Sequence, residues 1–230
     1  MRKTLKRFER GADKCRDIPV GTLHLAGYDV FLNECETLYE QREFTQEIMD
    51  RDFVVKSGTW YVENGWVCGK NPECCPGMLV SKKDFFGNNM LELTCKMIAP
   101  STHDINIMIN GSWDEEKDQR DVAYVTGMEA FWHGNVGFEK SPEYKLTAAT
   151  QLFNFDAEKE HKLTFGNIDG KIFVLVDGEL SLEITDPDPI DVTKYGKIGF
   201  EAYSSWWCFK DVSVKKLKYS KIAEQYVKEF

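Results

Sequence analysis

Long hydrophobic runs are missing from this chain of 230 residues. No stretch of 18 apolar residues occurs, so no transmembrane helix is expected. An excess of positive charge is missing too. Lys and Arg number 29 against 38 Asp and Glu, a formal net charge of −9, which leaves no field to attract nucleic-acid phosphates or an anionic membrane. A neutral partner suits such a surface. The basic opening, MRKTLKRFERGADKCRD, has no apolar run behind it, and a secretory signal needs one. The seven cysteines are odd in number and irregular in spacing, a poor disulfide framework for a secreted domain. The expected location is therefore a reducing cytoplasm.

Catalytic and metal-binding motifs are scarce as well. The sequence has no Gly-rich nucleotide loop and no Gly-x-Ser-x-Gly elbow, which removes support for nucleotide and serine-hydrolase chemistry. No His-x-His or His-Glu-x-x-His spacing occurs. The stretch CGKNPECCPGM holds Cys68, Cys74 and Cys75. Structural zinc uses paired knuckles and no second one exists, so a reduced, turn-rich loop is expected. DEEKDQRD and DPDPID are oxygen-rich, as calcium demands, yet lack the Gly and terminal Glu of an EF-hand. Solvated acidic loops are the expectation there. No cofactor is specified, and a divalent metal such as calcium is the option left open.

What the sequence does have is β-structure in short pieces. Hydrophobic residues make up 42% and aromatics 13%, enough for a sizeable core. Asn64-Gly65, Asp169-Gly170 and Asp177-Gly178 each separate a pair of apolar runs, the mark of tight hairpins. In HDINIMING, Ile105, Ile107 and Ile109 point one way while Asp104, Asn106, Met108 and Asn110 point the other. That alternation describes a half-buried strand with one polar face. Leu23, Leu25 and Val30 to Leu32 suggest short strands, the acidic ECETLYEQREFTQEIMDRD reads as helix or loop, and SKIAEQYVKEF as an amphipathic helix. Many short strands with no βα alternation indicate an antiparallel sandwich or jelly roll. The expected layout is an extension over 1–43 packed on the sandwich, a jelly-roll domain over 44–218 and a C-terminal helix over 219–230.

Four stretches carry a resemblance to a known family. They are SGTWYVENGWVCG, PGMLVSKKDF, HKLTFGNIDGKIFVLVDGEL and YGKIGFEAYSSWWCFKDVSVKKL. Their order resembles the concanavalin A-like lectin/glucanase superfamily, in particular the 3-keto-disaccharide hydrolase-like group and the intracellular jelly-roll proteins of bacterial pectin-degradation gene clusters. The matching positions are mainly turn glycines and core residues, so they speak for the fold rather than for chemistry. The Glu-x-Asp-x-x-Glu strand of the family's endoglucanases is absent, and VTGMEAFWH offers one carboxylate, Glu129.

The resemblance implies an all-β, concanavalin A-like jelly roll of two antiparallel sheets, with sugar bound on the concave sheet. Alternation then selects residues. Glu201 and Tyr203 share a face opposite Phe200 and Ala202, and of Trp206 and Trp207 at most one packs inward. Tyr124, Glu129, Trp132 and His133 lie on or just beyond a further strand. Aromatics beside directed polar groups are what a glycan pocket requires. Glu129, His133 and Glu201 are the expected acid/base residues, and Asn106, Tyr124, Trp132, Tyr203 and Trp206 the expected substrate contacts. His161 reads as structural. The expected function is an intracellular, carbohydrate-active protein that cleaves or processes a glycoside or small oligosaccharide. By resemblance it acts as a hydrolase or lyase of 3-keto-glycoside type, with a non-catalytic carbohydrate-binding module or accessory subunit as the alternative.

Overall fold

The computed structural model describes residues 4–8, 15–102, 104–129, 134–151, 155–157 and 159–222. They form two compact units, 1–36 with 216–230, and 37–215, where divisions at 44 and 218 were expected. In the smaller unit, Thr22–Leu25 and Tyr28–Phe31 make a hairpin, and Tyr219–Lys221 pairs with the latter. These short strands were expected, except the last. Tyr219–Lys221 lies where a C-terminal helix was expected, and its ladder with Tyr28–Val30 replaces the helical pattern there; 223–230 fall outside the described residues.

The larger unit is the jelly-roll sandwich. One layer runs in the order Thr147–Gln151, Asn135–Ser141, Ala123–Met128, Ile105–Gly111 and then the first half of Lys197–Lys216. The other layer contains the second half of that strand, Asn89–Met97, His161–Ile168, Lys171–Val176 and Glu179–Thr185. Neighbouring strands in these layers pair antiparallel. The layers are joined edge to edge, because two long strands pass from one to the other. Lys197–Lys216 and Trp66–Ser81 pair along Gly199–Tyr203 and again along Ser205–Phe209, with a register shift between. Ser204 at that shift has φ +49°. An extra residue in a ladder bends and twists a strand, and here it turns the strand into the second layer.

The core fills the space between the layers. Ile105, Ile107, Ile109, Phe138 and Phe200 come from one side and Leu91, Leu93, Phe165, Ile172, Val174, Val212 and Val214 from the other. Ile105, Ile107 and Ile109 face the core as expected, but the strand is not half-buried: all of Ile105–Gly111 is buried, and Met108 packs in a second apolar cluster on the other face. Asn64-Gly65, Asp169-Gly170 and Asp177-Gly178 all take positive φ at both positions, which tight hairpins require and glycine supplies cheaply. The acidic stretch 34–52 splits into the strand Glu36–Gln41 and the helix Gln46–Asp52, the latter capped by the Thr45 hydroxyl, which accepts from the Ile48 amide at 3.2 Å.

One sequence expectation about cysteine is corrected. Cys68 and Cys208 face each other across antiparallel strands and form a disulfide, both buried, 140 residues apart in sequence. Spacing along the chain cannot reveal such a pair, since only strand register brings it together. The pair removes Cys68 from the reduced, turn-rich loop expected over 68–78, which lies within the strand Trp66–Ser81, and it removes the cysteine half of the argument for a reducing compartment. His161 is structural as expected: buried, 2.8 Å from Asp177 through Nδ1 and stacked on Phe155 at 4.9 Å.

Candidate functional site

The concave face of the first layer carries a cavity of about 340 Å³. Its floor follows from strand register. Across the sheet, Glu201 pairs with Asn106, Asn106 with Gly127, and Gly127 with Gly137. Alternation points the first two side chains into the cavity, and the two glycines leave backbone exposed beside them. A Cβ on Gly127 would lie 2.0 Å from Asn106 Oδ1 and 2.2 Å from the Ile105 carbonyl. The absence of side chains at these positions therefore makes the trough. Asp104, Glu139, Tyr144, Tyr203 and Pro76 complete its walls.

Arg120 organises the trough's charges. It sits on a hairpin formed by Trp113–Asp114 and Gln119–Arg120, above the sheet that carries its partners. Trp113 of the same hairpin packs on Met78, Val80, Met108, Ala123 and Val125, an apolar patch beside the trough. The Arg120 guanidinium is ion-paired with Glu201 through Nη1 and with Glu139 through Nη2, the latter at 2.7 Å. It also donates to the Ser141 hydroxyl at 2.9 Å and the Tyr144 hydroxyl at 3.2 Å. Burial would lower its pKa, but the charges of Glu201 and Glu139 more than offset this and hold it firmly protonated. Burial acts the other way on Glu139, raising its carboxyl above the usual range despite Arg120.

Asp104 is the group with the most altered acidity here. Its pKa is pushed up to about 7, first by burial and then by the charges of Glu201 and Glu139, against the opposing hydrogen bond from the Asn106 amide. That amide donates to Asp104 Oδ1 at 3.0 Å. The backbone of Asp104 lies at φ +73°, in the left-handed region. It is held there by its own amide donating to the Glu129 carbonyl at 3.2 Å and by Ser205 Oγ donating to its carbonyl at 2.9 Å. A strained residue that the surroundings fix on both sides is a recurrent feature of functional sites.

The residues expected from sequence divide into several groups. Glu201, Asn106 and Tyr203 line the trough, with Tyr203 Oη donating to the Cys74 carbonyl at 3.0 Å. Glu129 does not line it. It is buried at φ +52°, and its carboxylate accepts from the Gly134 amide at 2.9 Å. Tyr124 is corrected outright: alternation along Ala123–Met128 sends it to the core, fully buried, where its hydroxyl donates to Asp186 at 2.8 Å and accepts from the Ile190 amide. Its neighbours Val125 and Gly127 face the trough instead.

Trp206 is corrected for a different reason. The shift at Ser204 carries it into the second layer, where its indole donates to Tyr61 Oη at 3.1 Å and Lys70 lies 4.3 Å above its ring. Trp207 packs in the core, so the pair splits between faces as expected. Trp132 and His133 lie outside the described residues.

Four members of the trough went unread. Asp104 was on the polar face of its strand by alternation, without a sign of altered acidity. Glu139 shares a two-residue period with Gly137, a usable signal in VGFEK. Arg120 and Tyr144 come from a two-residue strand and a turn, too short to carry a periodic signal. Among the described residues, no cluster of three or more His, Cys, Asp or Glu is arranged to hold a metal ion. In the two oxygen-rich loops, Asp114 accepts from the amides of Glu116 and Lys117, and Asp186 is ion-paired with Lys140.

No protein-family model matches the chain, and no curated protein does. Solved structures do. A carbohydrate-binding module (CBM66) of Bacillus subtilis is 15% identical, with a TM-score of 0.58 over 72% of this chain and 96% of that one. A protein of unknown function with a galectin-like fold from Bacillus subtilis is 14% identical, with a TM-score of 0.62 over 79% and 96%. The endo-β-1,3-glucanase of Pyrococcus furiosus is 12% identical, with a TM-score of 0.62 over 87% and 99%. Identities this low speak for the fold alone, and they agree with the layers, register and turns described above: the chain has the concanavalin A-like jelly-roll fold.

Proposed function

We propose that the chain is a carbohydrate-active protein that cleaves or processes a glycoside or short oligosaccharide in the concave trough. The observation that carries this reading is the convergence of Asp104, Glu139 and Glu201 in one trough around Arg120, where burial pushes the Asp104 pKa up to about 7. A proton donor works best with a pKa close to the working pH. In the reaction, Asp104 gives its proton to the leaving oxygen as the glycosidic C–O bond breaks. Glu201 or Glu139 accepts a proton from the water, or from the ring carbon of an oxidised sugar, that completes the exchange. Tyr144 and Tyr203 offer ring surface to a pyranose, and Asn106 offers an amide to its hydroxyls. Solved structures of this fold include an endo-β-1,3-glucanase and a carbohydrate-binding module, which supports a sugar ligand. A cytoplasmic setting belongs to the same proposal, and cell fractionation tests it.

A second reading, a non-catalytic sugar-binding module, is favoured by a different observation. Arg120 holds both Glu201 and Glu139 in ion pairs, so its N–H groups already occupy carboxylate oxygens that a base would need to take a proton. One experiment separates the two. The protein is incubated with β-1,3-glucan, fructan and xylan oligosaccharides, and with oxidised and unoxidised plant glycosides, while new reducing ends and binding heats are recorded. Turnover that falls at least about a hundredfold in Asp104→Asn, the range of general-acid contributions, supports the enzyme. Micromolar binding without turnover supports the module.

A further inference from the structure

Four of the five N–H donors of Arg120 have a partner. Nε serves Ser141, Nη1 serves Glu201, and Nη2 serves Glu139 and Tyr144. Among the described residues, Arg120 is also the sole cation lining the trough, against the carboxyl groups of Asp104, Glu139 and Glu201. Thr126, which also lines the trough, donates its hydroxyl to the Gly137 carbonyl. The trough is thus rich in acceptors and carries an excess of negative charge, and its guanidinium is already shared between two carboxylates and two hydroxyls.

From this arrangement we infer the charge class of the ligand: a sugar bearing a protonated amine is preferred, its neutral counterpart is accepted, and the corresponding uronate is rejected. The inference rests on the proposal that the trough holds sugar. Its physical basis is local. An ammonium group brings three donors and a positive charge to a site whose single cation is already paired with two carboxylates. A uronate brings a third or fourth carboxylate to a partly desolvated cluster whose one cation is already shared between Glu201 and Glu139. Like charges placed together in a binding site are a common means of excluding wrong partners.

The test is titration calorimetry of the intact protein at pH 7.5 with oligosaccharides of equal length matched at C6: 6-amino-6-deoxyglucose, whose alkylammonium is protonated at that pH, glucose and glucuronate forms. The expected order is amine, then neutral, then acid, with about tenfold between successive members, the ratio that one modest ion pair commands. Glu139→Gln should shrink the amine-over-neutral ratio severalfold while the protein stays folded by circular dichroism. Asp104→Asn serves as the second variant, with the same expectation, should Glu139→Gln not fold. A uronate that binds as tightly as its neutral counterpart overturns the inference and leaves the sugar reading standing. An unchanged ratio in both variants overturns it too. Absence of binding by all three ligands, extended to the wider panel above, overturns the sugar reading itself.

Discussion

Arg120 on a surface hairpin and Glu201 at the centre of the concave sheet form an ion pair in which both side chains are over nine-tenths buried. The pair ties a loop element to the strand that crosses between the sandwich layers. Breaking it from one side leaves charge without a partner. Arg120→Ala strands Glu201 and Glu139 together in a poorly solvated site, and such losses cost about 3–5 kcal/mol. Urea unfolding should show a large fall in midpoint with an unchanged slope. A shift under about 1 kcal/mol would mean that water reaches these carboxylates freely.

Asp104 gives the stability a pH dependence of predictable sign. Its native pKa, about 7, lies above the ordinary carboxyl value of 3.8. Between those values the native protein holds a proton that the unfolded chain has lost, so stability falls as pH rises through that window. The full effect is on the order of a few kcal/mol, reduced by whatever solvent reaches the group. Asp104→Asn should remove this slope and raise stability at pH 8 relative to the parent. Melting temperatures of both proteins from pH 4 to pH 8 check it, and parallel curves would contradict it.

Glycoside turnover, on the enzyme reading, follows the same proton. With Asp104 as the donor, kcat/KM falls above about pH 7 as the carboxyl ionises. Below that point the profile is set by the partner base. A rate that keeps rising to pH 9 rules Asp104 out as the acid.

The disulfide between Cys68 and Cys208 fastens the two long strands where they enter the second layer. It closes a loop of 140 residues in sequence separation, and disulfides over long loops stabilise by about 2–5 kcal/mol. A non-reducing digest should yield a crosslinked peptide carrying both cysteines, and the double Cys→Ala variant should unfold at lower urea. Recovery of both as free thiols from protein purified without reductant would be the contrary result.

Legibility in the sequence followed the reach of the forces involved. Hairpins at Asn64-Gly65 and Asp169-Gly170 depend on two adjacent residues, and they were read correctly. So was the outward set Asn106, Glu201 and Tyr203, because alternation is local to a strand. Tyr124 failed because its strand phase is set by neighbours in the sheet rather than by its own sequence. Trp206 failed because the register shift at Ser204 carries the later half of the strand into the second layer, so its outward face lies away from the trough. Arg120, Tyr144 and the Cys68–Cys208 pair are long-range events that no short window contains.

Gly127 offers a last check on the trough itself. A methyl group there meets the Asn106 side chain at 2.0 Å and the Ile105 carbonyl at 2.2 Å. The amide can swing aside, but the carbonyl belongs to the ladder with Met128 and cannot move without loosening it. Gly127→Ala should therefore cost about 1–3 kcal/mol, the usual range for overpacking. It should also displace Asn106 from Asp104, removing the hydrogen bond that opposes the rise in that carboxyl's pKa. The Asp104 titration, followed by carboxyl NMR, should move upward in the variant, and sugar affinity should drop as the floor fills. A variant with parent-like stability and an unmoved Asp104 would show that the floor is not shaped by this glycine.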